Sequence, residues 1–192
     1  MADKKRMDRN KAVPALLGNT DDFLIVAGLA GPAKDVGYLT DKAFLFGGAM
    51  GGAVMAGLGL ALAQPDRKVL CVTGDGDLLM SLGSLATVGV MKPPNFSLVC
   101  VDNALYQETG GQTSHTGLGV NLAEVAAGCG FAVTRDVENE SQLEEAAGLL
   151  RQGNASTFIL LRVDETPSPK GIRNLHATET KSAFREMLLG HR

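Results

Sequence analysis

Asp75 and Asn103 are the residues whose types and setting most clearly suit chemistry. Asp75 lies in Gly74-Asp75-Gly76-Asp77, and Asn103 lies in Asp102-Asn103-Ala104-Leu105-Tyr106. Each group follows a short apolar run, residues 68–73 and 96–101. Runs of this length, rich in β-branched and bulky side chains, read as buried strands. If both belong to one parallel sheet, the Asp after one strand and the Asn after the next meet at its carboxyl edge, where open α/β sheets bind ligands. A carboxylate and an amide oxygen there, beside glycines that let backbone N–H groups approach a phosphate, make a site for Mg²⁺ and a diphosphate. Gly-Asp-Gly alone would be an ordinary turn; its pairing with Asp102-Asn103 after a second strand gives it meaning.

The elements that must position these residues alternate along the chain. Helices are predicted over 7–17 (with Pro14 as a kink or early stop), 33–39, 50–63, 82–91, 122–129, 141–151 and 178–189. Strands are predicted over 23–27, 43–46, 69–73, 97–101, 132–135 and 157–163. Ser141 and Glu144 have the spacing of a capping box. The glycine- and threonine-rich stretch 106–120 reads as a functional loop, and 166–171, with two prolines, as another. Such alternation predicts a three-layer α/β fold, a mainly parallel sheet with helices on both faces. The 192 residues suit a single domain spanning 1–192.

The flanking residues carry two readings each. Gly74 and Gly76 let backbone approach the phosphate, and Asp77 offers a backbone N–H to it, caps the following helix, or does both. Leu78 is apolar and reads as core, while its place in the same turn counts it with the diphosphate-binding residues. Gly28, after the first strand, is either a diphosphate contact or a plain strand-to-helix turn. Histidine as a residue type suits proton transfer near neutral pH, so His115 is a candidate acid/base, set against a solvated loop histidine.

Composition narrows the class. A net charge of −3 and 20% charged residues give no general attraction to nucleic acid or an anionic membrane. The apolar stretch 44–63 is rich in Gly and Ala and suits a buried helix, not a membrane span. No signal peptide is expected. Cys71, Cys100 and Cys129 are far apart in apolar contexts, without Cys-x-x-Cys, which predicts buried thiols in a reducing cytoplasm and no iron–sulfur or zinc ligation.

Gly74-Asp75-Gly76 followed, after residues 77–101, by Asp102-Asn103 resembles the cofactor motif of thiamine diphosphate enzymes, Gly-Asp-Gly, about two dozen residues, then Asn-Asn. Asp102 departs from the first Asn, and this departure is similar to the sulfopyruvate and phosphonopyruvate decarboxylase branch. So is Tyr106-Gln107-Glu108-Thr109-Gly110-Gly111-Gln112-Thr113-Ser114-His115, which closely resembles that branch's loop with its Thr-Gly-Gly-Gln. The resemblance implies thiamine diphosphate and Mg²⁺ as cofactors. It implies Asp75, Asn103 and the Leu105 carbonyl as metal ligands, and Tyr106 and Thr109 near the diphosphate or the anionic tail of a substrate. Residues 47–52 resemble the family's Gly-Ser-Met-Gly segment, with Ala49 in place of Ser. That implies a Gly48 carbonyl bonded to the aminopyrimidine and Met50 as the wedge that bends the cofactor. A close-packed glycine helix start with Met as filler is the alternative.

The resemblance runs from about residue 8 to 162 and covers only the diphosphate-binding (PP) half of such an enzyme. The pyrimidine-binding (PYR) half is therefore expected on a partner α chain, in a heterodimer or an α2β2 or larger assembly. The implied reaction is decarboxylation of a small 2-oxo acid, sulfopyruvate to sulfoacetaldehyde and CO₂. Acyl transfer on the same scaffold and a non-catalytic cofactor-binding or regulatory subunit remain as alternatives. A nucleotide-binding Rossmann domain has no Gly-x-Gly-x-x-Gly to support it.

Overall fold

The computed structural model describes residues 6–47, 49–169 and 177–190. In chain order these form α1 (Arg9–Leu17), β1 (Leu24–Ala27), α2 (Gly31–Leu39), β2 (Phe44–Leu45), α3 (Ala53–Ala63), β3 (Val69–Gly74), α4 (Asp75–Leu79), α5 (Gly83–Met91) and β4 (Phe96–Asp102). There follow β5 (Leu105–Tyr106), β6 (Gln112–Thr113), α6 (Leu122–Cys129), β7 (Val133–Val137), α7 (Leu143–Gln152), β8 (Thr157–Arg162) and α8 (Ala177–Leu189).

Six strands form one sheet in the order β2-β1-β3-β4-β8-β7, and every pairing is parallel. The strands are buried on both faces, as their near-continuous apolar sequences require. Successive side chains alternate between two cores. Ile25, Leu70, Val72, Val99 and Ile159 point to a layer made by α1, α2 and α7. Leu24, Val69, Cys71, Leu98 and Phe158 point to a layer made by α3, α5 and α6. The expected three-layer α/β architecture is the observed one. Helix α8 closes over β2 through Phe184 on Phe44, with ring centroids 5.6 Å apart.

The strand order reverses direction between β1 and β3. Chain leaving β1 passes through α2 to β2 on one side, and chain leaving β3 passes through α5 to β4 on the other. This switch point opens a crevice at the carboxyl ends of the strands. The segments 28–31 and 74–77 flank it.

Several local expectations are corrected. α1 starts at Arg9, not at residue 7: Asp8 caps it, its carboxylate accepting from Asn10 N at 2.9 Å, and Met7 instead pairs in parallel with Val163. Pro14 is accommodated inside α1, which runs on to Leu17. α3 begins only at Ala53, because Gly51 has φ +89° and cannot continue a helix backward. The box ahead of α7 uses Asn139 and Gln142, not Ser141 and Glu144: a 3-10 turn, Glu140–Gln142, precedes the helix and shifts the cap. Gln142 Oε1 accepts from Asn139 N at 3.2 Å, while Ser141 donates to Asn139 Oδ1 at 2.6 Å. Segment 106–120 is not an irregular loop. β5 and β6 pair antiparallel as a small hairpin, followed by a 3-10 turn, His115–Leu118. The expected loop 166–171 is described only to residue 169, where it is irregular. Cys71 and Cys100 are buried and Cys129 half-buried, all three free.

Candidate active site

β3 and β4 pair in register, Gly74 opposite Val101, so Asp75 follows β3 directly beside Asp102, the last residue of β4. The chain turns sharply after β4. Ala104 takes φ +64°, a left-handed conformation that costs a non-glycine residue about 1 kcal/mol. Two short bonds hold it: Ala104 N donates to Asp102 Oδ1 at 2.9 Å, and Leu105 N donates to Asn103 Oδ1 at 3.1 Å. Asp75, Asn103 and Leu105 thereby line one open cleft, with Gly74, Gly76 and Asp77 along it.

Asp75 and Asp102 have different electrostatic settings. Asp102 is fully buried, but Arg162 Nη1 donates to its Oδ2 at 2.7 Å and Arg6 lies 3.7 Å from its Oδ1. Burial pulls the Arg162 guanidinium down, and its hydrogen bond to Asp136 and the charge of Asp102 more than offset that, so its pKa is raised. Asp75 is 2% exposed, and among the described residues it forms no ion pair. Its side-chain contacts are hydroxyls, Ser114 Oγ at 2.5 Å and Thr116 Oγ1 at 3.3 Å, and the backbone N–H groups of Asp75 and Gly76 also favour the carboxylate. Burial first, and the neighbouring Asp102 second, push its pKa up to about 6. A buried acid without a counter-charge among the described residues, sharing a cleft with Asn103 and Leu105, supplies oxygen donors of the kind a hard divalent cation takes. Among the described residues no group of three or more His, Cys, Asp or Glu side chains forms a metal cluster.

The glycines allow close packing around the cleft. A Cβ at Gly76 would lie 2.6 Å from the Tyr106 ring, so only glycine lets this turn close against the cleft wall. A Cβ at Gly28 would lie 2.2 Å from Asp77 Oδ2. Asp77 itself is buried and used as a staple. Thr73 Oγ1 donates to its Oδ2 at 2.7 Å and Gly51 N to its Oδ1 at 2.5 Å. This ties the segment before α3, and so Met50, to the Gly-Asp-Gly turn; Met50 lines the cleft. Leu78 is fully buried in the α3–α5–α6 core, so its side chain does not face the cleft. Gly48 lies outside the described residues. Gly28 does not line the cleft, but Leu29 to Pro32 do.

Tyr106 and Thr109 also line the cleft. His115 does not; it is exposed and joined to it through the Tyr106 hydroxyl, 3.0 Å from His115 Nδ1. Sequence reasoning missed Arg9, Ser114 and Thr116. Arg9 is the one cation among the cleft-lining residues. It is 3% exposed and forks onto Asp35 of α2, Nη2 to Oδ2 at 2.6 Å and Nε to Oδ1 at 3.0 Å. No local pattern marks Arg9; the pair is created by packing α1 on α2. Ser114 and Thr116 carry one weak signal, polar residues at alternate positions in a stretch that had been read as loop.

Comparison with known proteins agrees with this geometry. Residues 29–160 match the family described as thiamine pyrophosphate enzyme, C-terminal TPP binding domain. The chain belongs to that family. It is 43% identical over 143 residues to the sulfopyruvate decarboxylase subunit beta of Methanocaldococcus jannaschii, covering 73% of this chain and 72% of that one. It is 32% identical over 183 residues to the subunit of the same name from Methanococcus maripaludis, covering 94% and 96%. The solved benzoylformate decarboxylase from Polynucleobacter necessarius superposes with a TM-score of 0.64 at 17% identity, over 84% of this chain and 34% of that chain. The chain thus spans about a third of that solved enzyme, and the likeness there is one of fold. Among the described residues no helix is long and apolar enough to cross a membrane.

Proposed function

We propose that this chain is the diphosphate-binding subunit of a Mg²⁺- and thiamine diphosphate-dependent decarboxylase of a small 2-oxo acid, sulfopyruvate to sulfoacetaldehyde and CO₂. The observation that carries it is Asp75: buried, without a cationic partner among the described residues, and set beside Asn103 and Leu105 in a glycine-lined cleft. Its relatives' names, sulfopyruvate decarboxylase subunit beta, support the substrate and the subunit role.

Asp75, the Asn103 amide oxygen and the Leu105 carbonyl would hold Mg²⁺. Gly76 and Asp77 would offer backbone N–H groups to the diphosphate, with the positive end of α2 and the Arg9 guanidinium adding charge from the opposite wall. Met50 would wedge the cofactor, and Gly48 would bind its pyrimidine. Bound thiamine diphosphate would supply the nucleophilic carbon and the electron sink that the side chains of this protein lack. Tyr106 reaches the cleft and His115 reaches Tyr106, so a proton can pass between the cleft and an imidazole at its rim.

The partner would be a PYR-domain α subunit. Met80 at 62% and Leu118 at 77% exposure are apolar surface such a chain would cover. The cytoplasm is the compartment in which its free cysteines would stay reduced.

The test is mild purification from native cells, with assay of the eluate for thiamine diphosphate and for aldehyde release from a panel of 2-oxo acids. Co-elution of a second chain with the cofactor, and aldehyde from sulfopyruvate above all other acids, is the expected result. A lone chain without cofactor, or no aldehyde from any acid, overturns the reading.

A further inference from the structure

Ser114 lies within the loop segment 106–115 and Thr116 just beyond it, neither with a role assigned from the sequence, and both are buried hydroxyls aimed at acids. Ser114 is completely buried and Thr116 is 5% exposed. They form an unbroken line of short contacts across the end of the sheet. Ser114 Oγ donates to Asp75 Oδ2 at 2.5 Å, lies 2.8 Å from Thr116 Oγ1, and Thr116 Oγ1 donates to Asp102 Oδ1 at 2.7 Å. The line continues from Asp102 Oδ2 to Arg162 at 2.7 Å and from Arg162 to Asp136 at 3.0 Å. Ser114 N is also anchored, donating to the Ala104 carbonyl at 2.8 Å. The two hydroxyls therefore sit between an acid neutralised by arginines and an acid that is not.

A carboxylate ligand can rotate about its last bond, and its metal affinity depends on which oxygen is presented. Hydrogen bonds to a ligating carboxylate fix that choice. Ser114 donates to Asp75 Oδ2, while the single proton of Thr116 goes to Asp102 Oδ1, its shorter acceptor, and its oxygen braces the Ser114 hydroxyl; Oδ1 of Asp75 is unclaimed by any side chain among the described residues. We infer that Ser114 and Thr116 are positioning residues for the cation: they pin Asp75 Oδ2, with Asp102 as their fixed anchor, so that Oδ1 is presented to Mg²⁺. This rests on the cofactor reading given above. It also explains why Asp can stand at position 102. Arg6 and Arg162 supply the charge that makes an anion tolerable there, and a carboxylate is a stronger acceptor for the Thr116 hydroxyl than an amide.

The test is calorimetric titration of the full chain, with its partner chain where one co-purifies. Mg²⁺ is varied at fixed thiamine diphosphate, and thiamine diphosphate is varied at saturating Mg²⁺. Ser114→Ala and Thr116→Val are compared with Thr116→Ser, which keeps the hydroxyl. The expected result is a Mg²⁺ midpoint raised about 10- to 100-fold in Ser114→Ala and Thr116→Val, with wild-type behaviour in Thr116→Ser. Cofactor affinity at saturating Mg²⁺ should move far less. Variants that lose melting temperature while keeping the wild-type Mg²⁺ midpoint would show a purely structural role and overturn the inference. A wild-type chain with no Mg²⁺-dependent binding of thiamine diphosphate would overturn the functional reading itself.

Discussion

Asp75 and Asp102 end up side by side because β3 and β4 pair in register, and Thr116 Oγ1 touches both, at 3.3 Å and 2.7 Å. Only Asp102 has arginines. The protein thus balances one acid of the pair internally and, among the described residues, gives the other no counter-charge. A structural pair would have been neutralised on both sides, since isolated buried charge costs several kcal/mol.

The first prediction concerns the neutralised acid. Asp102→Asn keeps the shape but removes the charge between Arg162 and Arg6. Arg162 keeps Asp136 as a second partner, at 3.0 Å, which softens the loss. The cost should be about 1–3 kcal/mol, less than for breaking an isolated buried pair. Urea unfolding of the two proteins at one pH measures it; an Asn variant as stable as the parent would show that Arg6 and Arg162 contribute nothing through this contact.

The second prediction concerns the acid without a partner. The pKa of Asp75 is raised from its ordinary value of 3.8 to about 6, by burial and then by Asp102. Between those values the folded state holds a proton that the unfolded state has released. Metal-free stability from this group is therefore greatest at low pH, falls as pH rises through the window, and stays low above about 6. Asp75→Asn removes the loss, so the metal-free variant should be more stable than wild type at pH 7.5, by on the order of 1–3 kcal/mol, with the gap closing near pH 4. Paired denaturant curves without metal at both pH values decide it. A variant less stable than wild type at pH 7.5 refutes the electrostatic account.

Asp75, Asn103 and the parallel sheet were legible because their signals are local: an apolar run, then a polar turn, twice. Their partners were not. Ser114 and Asp75 meet only through the fold, as do Arg9 and Asp35 and Arg162 and Asp102. The hairpin of β5 and β6 was read as loop because its two-residue strands are too short to show a period of two, while Gly110 at φ +121° and Gly111 at φ +77° look like loop residues. Those two glycines make the turn that joins the strands. Leu78 shows the converse limit: motif position counted it with the cofactor, whereas its side chain went to the core because α4 turns it inward.

A third prediction follows from the staple beneath Met50. Asp77 accepts from Thr73 and Gly51 while Gly28 leaves room for its carboxylate. Gly28→Ala would place a methyl 2.2 Å from Asp77 Oδ2 and force the staple open. The overpacking should cost about 1–3 kcal/mol, and pulling Asp77 off Gly51 should weaken binding of Mg²⁺ and thiamine diphosphate as well. Melting temperature and calorimetry on the same variant report the two effects. An unchanged affinity with a lowered melting temperature would separate the staple from the site.

Arg9 offers the sharpest separation of architecture from chemistry. It pairs with Asp35 where both are 3% exposed, and it is the cation on the cleft wall. Arg9→Leu alone leaves Asp35 buried without a partner, which should cost about 3–5 kcal/mol. Adding Asp35→Leu removes the stranded charge, and replacing both members of a buried pair with apolar groups is commonly neutral or stabilising. The double variant should therefore regain most of the lost stability. It should not regain affinity for the diphosphate, because the positive charge facing the cleft is still missing. Inorganic pyrophosphate with Mg²⁺ is the probe, titrated against wild type, single and double variants, with urea unfolding of each in parallel. Recovery of stability without recovery of pyrophosphate binding assigns Arg9 to the ligand; recovery of both would make it only a strut between α1 and α2.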